Sequence, residues 1–165
     1  MEEYKDDSLF TLVGRGGVYY QLPGNNSREA LTSLIDMLKL PPSLDGAVNR
    51  GELLKAVLER EALMTTAVGR GIALPHPRNP LVTETGLQFV AIAFPATPVG
   101  WHALDGEPVR TLILIVSASA KQHLHTLSRI NYFCQHSDFR ALLESRAPKE
   151  AITQAITEIE QTWTR

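Results

Sequence analysis

Cysteine is nearly absent from this chain: Cys134 stands alone, so no intramolecular disulfide can form and nothing calls for an oxidising compartment. Basic charge is also in short supply. Sixteen Lys and Arg face 18 Asp and Glu, for a formal net charge of −2, and no basic run occurs. Such a balance lacks the electrostatic footprint of a protein that binds DNA, RNA or an anionic membrane surface. No apolar run is long enough to span a bilayer, and Met1-Glu2-Glu3-Tyr4-Lys5-Asp6-Asp7 is acidic and leads into no signal-type stretch. The expectation is a cytoplasmic protein with no direct nucleic-acid contact and no membrane insertion. Cys-X-X-Cys, His-Glu-X-X-His, Gly-X-Ser-X-Gly, P-loop and dinucleotide-binding patterns are missing as well. What remains is an ordinary globular composition, 44% apolar and 21% charged over 165 residues, enough for one domain with a proper core.

Residues 1–8 read as a polar tail and residues 9–165 as one domain. Gly16 to Leu22 is strand-like, and Pro23-Gly24-Asn25-Asn26 is a turn. From Ser27 a helix is predicted, with Ala30, Leu31, Leu34, Ile35 and Leu38 on one arc of about 140°. Pro41-Pro42 should end it. A second helix is predicted after Asn49, with Leu53, Leu54, Val57 and Leu58 inward and Arg60 at the edge of the apolar arc. Strand signals follow at Gly71–Leu74, Leu87–Phe94 and Val109–Val116, the last two apolar enough to be covered on both faces. Helices are predicted over 120–134, 137–144 and 148–162. Helices before and after a set of buried strands predict an α/β fold: a single-domain sandwich with a central mixed sheet and helices on both faces.

Five histidines carry the chemistry available near neutral pH. His76 sits in Gly69-Arg70-Gly71-Ile72-Ala73-Leu74-Pro75-His76-Pro77-Arg78, where flanking prolines restrict the backbone on both sides of the imidazole. It reads as a reactive side chain on a stiff mount, or else as a surface histidine in an ordinary proline turn. In the helix from Ala120, Leu127, Ile130 and Cys134 place the buried direction near −70° when Leu124 is set at 0°. His123, at about −100°, falls inside that stripe as a site residue or a core histidine, whereas His125 and Arg129 are expected to face solvent. Residues two apart on a helix point in nearly opposite directions, so His123 and His125 cannot chelate one ion. Cys134 reads as core rather than nucleophile.

These residues resemble the type-2 enzyme IIA (EIIA) family of the bacterial phosphotransferase system (PTS), the fructose/mannitol and nitrogen-related, PtsN-like group. The resemblance spans most of the chain. It rests on Leu58-Glu59-Arg60-Glu61, on Gly69 to His76, on Leu104-Asp105-Gly106-Glu107-Pro108-Val109, and on His123-Leu124-His125-Thr126-Leu127-Ser128. It implies an α/β sandwich whose His76 accepts a phosphoryl group from the phosphocarrier HPr, with His123 as second active-site histidine and Arg60 as basic neighbour. The implied partners are an HPr-type phosphocarrier and a IIB domain or regulated target protein. No metal or organic cofactor is implied, and the role is that of a phosphocarrier rather than a stand-alone small-molecule enzyme. Two departures, Arg70 between the glycines and Pro77-Arg78-Asn79-Pro80 after the histidine, define the alternative, an EIIA-like binding module that is not phosphorylated. Arg70 and Arg78 are expected near the site, where they could help to hold phosphate.

Overall fold

The structure is a computed structural model and describes residues 8–163. In chain order the elements are α1 (Leu9–Gly16), β1 (Val18–Leu22), α2 (Ser27–Met37), α3 (Pro42–Ala47), α4 (Arg50–Leu63), β2 (Ala67–Gly69), β3 (Ile72–Ala73), β4 (Phe89–Pro95), β5 (Thr111–Val116), α5 (Ala120–Cys134), α6 (Ser137–Glu144) and α7 (Lys149–Trp163). One sheet runs in the order β1-β4-β5-β3-β2. β1 pairs parallel with β4, β4 antiparallel with β5, β5 parallel with β3, and β3 antiparallel with β2. The expected mixed sheet between two helical layers is present.

β4 and β5 are buried along their whole length, which is why they read as unbroken apolar runs. Alternation sorts their side chains. Phe89, Ala91, Ala93, Leu112, Leu114 and Val116 join a core with Leu31 and Leu34 of α2 and Leu53 and Val57 of α4. Val90, Ile92, Phe94, Ile113 and Ile115 join the opposite core with α1, α5, α6 and α7. Caps fix the helix starts: Asn26, Asn49 and Ser119 each accept a hydrogen bond from the backbone N–H three residues on, at 2.9, 2.9 and 3.1 Å. Arg50 ties the first layer together by donating to the carbonyls of Ile35 and Leu38 at the end of α2, at 2.7 and 2.8 Å.

Several elements differ from expectation. Residues 1–7 of the expected tail lie outside the described residues, and Ser8 is the cap of α1 rather than part of a tail. α1 replaces the start of the expected strand. Its two glycines weaken local helix propensity, but Gly16 lets it lie flat on β4, where a Cβ would sit 2.0 Å from the Val90 carbonyl oxygen. Pro42 opens the short helix α3 from its first position, a place that suits proline because no N–H is needed there. The segment before β3 forms an additional edge strand, β2.

α5 has the predicted bounds and a different rotation. Its buried residues are Thr126, Arg129, Ile130 and Phe133, which centre the inner face about 100° from the predicted direction. Leu124, the zero of the angular scale and about 70° from the predicted inner direction, is 62% exposed. Arg129 is 5% exposed rather than solvent-facing. Its Nη1 lies 3.5 Å from Glu160 Oε2 on α7, and its Nη2 donates to His125 Nε2 at 2.6 Å, so His125 is half-buried beside it. Glu160 also accepts from the N–H groups of Leu9 and Phe10 at 2.6 and 3.1 Å, joining the starts of α1 to α5 and α7. Paired charge makes this burial tolerable.

Two stability measurements follow from the packing. Gly16→Ala is expected to cost about 2–3 kcal/mol in urea unfolding, because backbone must move to admit the methyl group; an unchanged midpoint would show that α1 is free to lift from β4. Arg129→Ala, which strands a largely buried Glu160, is expected to cost about 3–5 kcal/mol by the same assay, whereas a solvent-facing arginine would cost under about 0.5 kcal/mol.

Candidate active site around His76

β3 delivers His76. After Ala73 the chain continues beside β5, with the Ile115 N–H donating to the Pro75 carbonyl at 3.0 Å, and then leaves the sheet at the His76-Pro77 step. The His76 ring folds back so that Nδ1 lies 2.9 Å from the Leu74 carbonyl oxygen. A carbonyl oxygen only accepts, so Nδ1 carries the proton and Nε2 keeps the lone pair. Burial lowers the His76 pKa, a trend opposed by its bond to Leu74 and reinforced by the charge of Arg60. The ring is therefore neutral at pH 7, with its nucleophilic nitrogen defined.

His123 reaches the same place from the first turn of α5. Its ring centroid lies 4.3 Å from that of His76, with the planes tilted by 40°. Burial, then the proximity of His76 and Arg60, pushes its pKa down to about 4. Half-buried and neutral, it can donate an N–H without bringing a permanent charge into the site. The start of α5 adds directed polarity. Ser119 caps it in the Ser119-Ala120-Lys121-Gln122 sequence, a capping pattern legible in the chain but not used in the prediction of this helix. First-turn N–H groups and the helix dipole favour an anion at this end.

Arg60, in the last turn of α4, completes the group. Its Nη1 donates to the Met64 carbonyl at 2.7 Å, which orients the guanidinium. Glu61 steadies the same bend by accepting from the N–H and hydroxyl of Thr66, at 2.8 and 2.6 Å. Arg78 is tied to α4 as well: its N–H donates to the Ala56 carbonyl at 3.1 Å, one helical turn before Arg60. Arg60, His76, Arg78, Ser117, Ser119 and His123 all line one cavity of about 330 Å³, bounded on its apolar side by Pro77, Pro80 and Leu124.

The structure thus brings together His76, His123 and Arg60, and adds Arg78 as expected and Ser117, Ser119 and Leu124 as lining residues that the sequence reading missed. Arg70 does not belong here. It sits in the β2–β3 turn, and the extended chain through β3 places it about 16–20 Å along the sheet from His76. Cys134, at the far end of α5, is about 16 Å along the helix from His123. Burial raises its thiol pKa to about 11, so it is no thiolate at neutral pH.

An arrangement of one neutral imidazole with a defined lone pair, a neighbouring imidazole, two guanidinium groups and a helix start is suited to a phosphoryl group. Comparison with known proteins places the chain in a family. The family model described as "Phosphoenolpyruvate-dependent sugar phosphotransferase system, EIIA 2" matches residues 15–159. The chain is 33% identical over 124 residues to the "PTS system fructose-specific EIIA component" of Haloferax volcanii, covering 70% of this chain and 79% of that one. It is 28% identical over 155 residues to the "Nitrogen regulatory protein" of Pseudomonas aeruginosa, covering 92% and 96%. Among solved structures, the nitrogen regulatory protein IIA-Ntr of Neisseria meningitidis superposes with a TM-score of 0.68 at 20% identity, over 84% of this chain and 92% of that one. IIA mannitol of Escherichia coli does so with a TM-score of 0.63 at 16% identity, over 84% and 94%. With the match running through nearly every element of the fold, this chain belongs to the EIIA type-2 family of the phosphoenolpyruvate-dependent sugar phosphotransferase system.

Proposed function

We propose that this chain is a phosphoryl-accepting regulatory domain of the PtsN-like kind, phosphorylated on His76 by a phosphorylated HPr-type phosphocarrier. The observation that carries this reading is the Nδ1–H···O=C bond to Leu74, which leaves Nε2 as the lone-pair nitrogen of a neutral His76 whose ring lines a cavity with two arginines. Nε2 attacks phosphorus; the N–P bond to His76 forms as the bond to the carrier breaks, and its electron pair stays with the carrier. Nδ1 keeps its proton on the Leu74 carbonyl. The phosphoryl oxygens carry about −1.5 to −2 charges against the single positive charge of the Nδ1-protonated ring, a net addition of about −1, and they are met by Arg60, Arg78, a donating His123 and the start of α5. Transfer onward to a IIB domain reverses the same steps, and a regulated target protein reads the change in charge.

Partner proteins would meet an apolar rim. Leu124 is 62% exposed at the cavity mouth, with Pro77 and Pro80 beside it, so a carrier can cover the site and exclude water during transfer. The relatives named as nitrogen regulatory proteins favour a regulatory role, and IIA mannitol, solved in complex with phosphorylated IIB mannitol, shows that this fold docks a second phosphocarrier domain. Both properties come to this chain by analogy.

Intact-protein mass after incubation with phosphoenolpyruvate, enzyme I and HPr tests the reading. One acid-labile phosphoryl group is expected on the wild type and none on His76→Ala; an unmodified wild type, under conditions that phosphorylate a control EIIA, would favour the binding module instead. Arg60→Ala and His123→Ala are each expected to slow transfer by about 10²-fold, the usual loss when one donor to a developing anion is removed. Phosphorylation should also raise the His123 pKa from about 4, because a nearby dianion favours the imidazolium. An NMR titration in which His123 does not move between the two forms would remove it from the phosphoryl site.

A further inference from the structure

Arg70 lines a second cluster, at the opposite end of β3 and β5 from His76. Gly69, Arg70 and Gly71 have consecutive positive φ values of 94°, 57° and 77°. An arginine rarely adopts this conformation, and here the carboxylate of Asp105 holds it by accepting from the Arg70 N–H at 2.9 Å and the Glu107 N–H at 3.0 Å. The Gly71 carbonyl in turn accepts from the N–H groups of Arg110 and Thr111, at 2.7 and 3.0 Å. The backbones that carry Arg70 and Arg110 are thereby fixed next to each other, with Arg110 Nη1 3.6 Å from the place a Cβ on Gly71 would take. Arg140 arrives from α6, its Nη1 anchored on the Cys134 carbonyl at 2.7 Å.

The three arginines line one cavity of about 290 Å³ together with Glu144. Arg70 and Arg140 also line an adjoining one of about 530 Å³. Neither Arg70 nor Arg140 is in an ion pair among the described residues, and Glu107 approaches Arg110 Nη1 only to 3.6 Å with both side chains about half exposed. Converging like charges repel, and a multivalent anion that accepts from several guanidinium forks converts that repulsion into binding. The volume matches a small molecule.

We propose that Arg70, Arg110 and Arg140 form a second ligand site for a small diphosphate-type anion, separate from the phosphoryl site at His76. The anion bridges the guanidinium groups of the β2–β3 turn and α6, with Glu144 limiting the charge that the cavity accepts. Inorganic pyrophosphate and the diphosphate of a nucleotide share this chemistry.

The test is an NMR titration of the ¹⁵N-labelled chain with inorganic pyrophosphate and, separately, with ADP at low ionic strength. Expected are saturable shifts of the Gly71 amide and of the Nε–H groups of Arg70, Arg110 and Arg140, with Kd on the order of 0.1–1 mM. Arg70→Ala with Arg110→Ala should weaken binding at least about tenfold, roughly one lost charge-assisted contact or more. Arg70→Lys, which keeps the charge and loses the fork, should weaken it less than Arg70→Ala does, and His76→Ala should leave it unchanged. Tighter binding of ADP would assign the site to an organic diphosphate and equal binding to the inorganic ion, and either supports it. Absence of saturable shifts up to about 10 mM, or shifts that vanish in His76→Ala and survive in the arginine variants, would overturn it.

Discussion

The pairing of the short segment 71–76 with β5 is the constraint on which the site depends. β3 has only the two residues Ile72 and Ala73, too few to hold a position by themselves. β5 is buried along its length and cannot shift, and it grips the segment at both ends, through the Gly71 carbonyl on one side and the Pro75 carbonyl on the other. The register Ile72 to Thr111 and Ala73 to Leu112 fixes where the chain leaves the sheet. Pro75 and Pro77 then remove most of the remaining backbone freedom around His76. Sequence becomes chemistry at this step, because the same fixed backbone offers the Leu74 carbonyl that decides which ring nitrogen is protonated.

Electrostatics in the site follow from burial more than from any single partner. Desolvation is the first cause of the lowered pKa at both His76 and His123, and it keeps two adjacent imidazoles neutral beside a guanidinium. A charged pair would repel and would leave no lone pair for attack. The cavity therefore carries positive charge from its arginines, which under the proposed function a phosphoryl dianion would balance. Arg60 and Arg78 reach the cavity from α4 and its surroundings, the first with its guanidinium held on the Met64 carbonyl and the second with its N–H bonded to the Ala56 carbonyl.

The long periodic helices and the two central strands were legible because burial on one or both faces writes itself into the order of apolar and polar residues. α1 was not, since its helix is stabilised by contact with β4 through Gly16 rather than by local propensity. The pairing of His76 with His123 was anticipated, but the helical rotation assigned to α5 was wrong. Leu124 is apolar because it forms the rim of the site, and Arg129 is buried because Glu160 neutralises it, so both mislead a reading that equates apolar with inside. Arg70 was misplaced for a simpler reason. Only five residues lie between it and His76, yet their largely extended path carries it to the far end of the strand.

The proposed function requires that His76 present Nε2 as its nucleophile because Nδ1 donates to Leu74. Long-range ¹H–¹⁵N correlation spectroscopy of the histidine rings at pH 7 reads that directly. A neutral His76 with a protonated, hydrogen-bonded Nδ1 and a bare Nε2 is expected, and after phosphorylation a phosphorus coupling at Nε2. A bare Nδ1, or a phosphoryl group found on it, would contradict the tautomer and with it the mechanism derived from the fold.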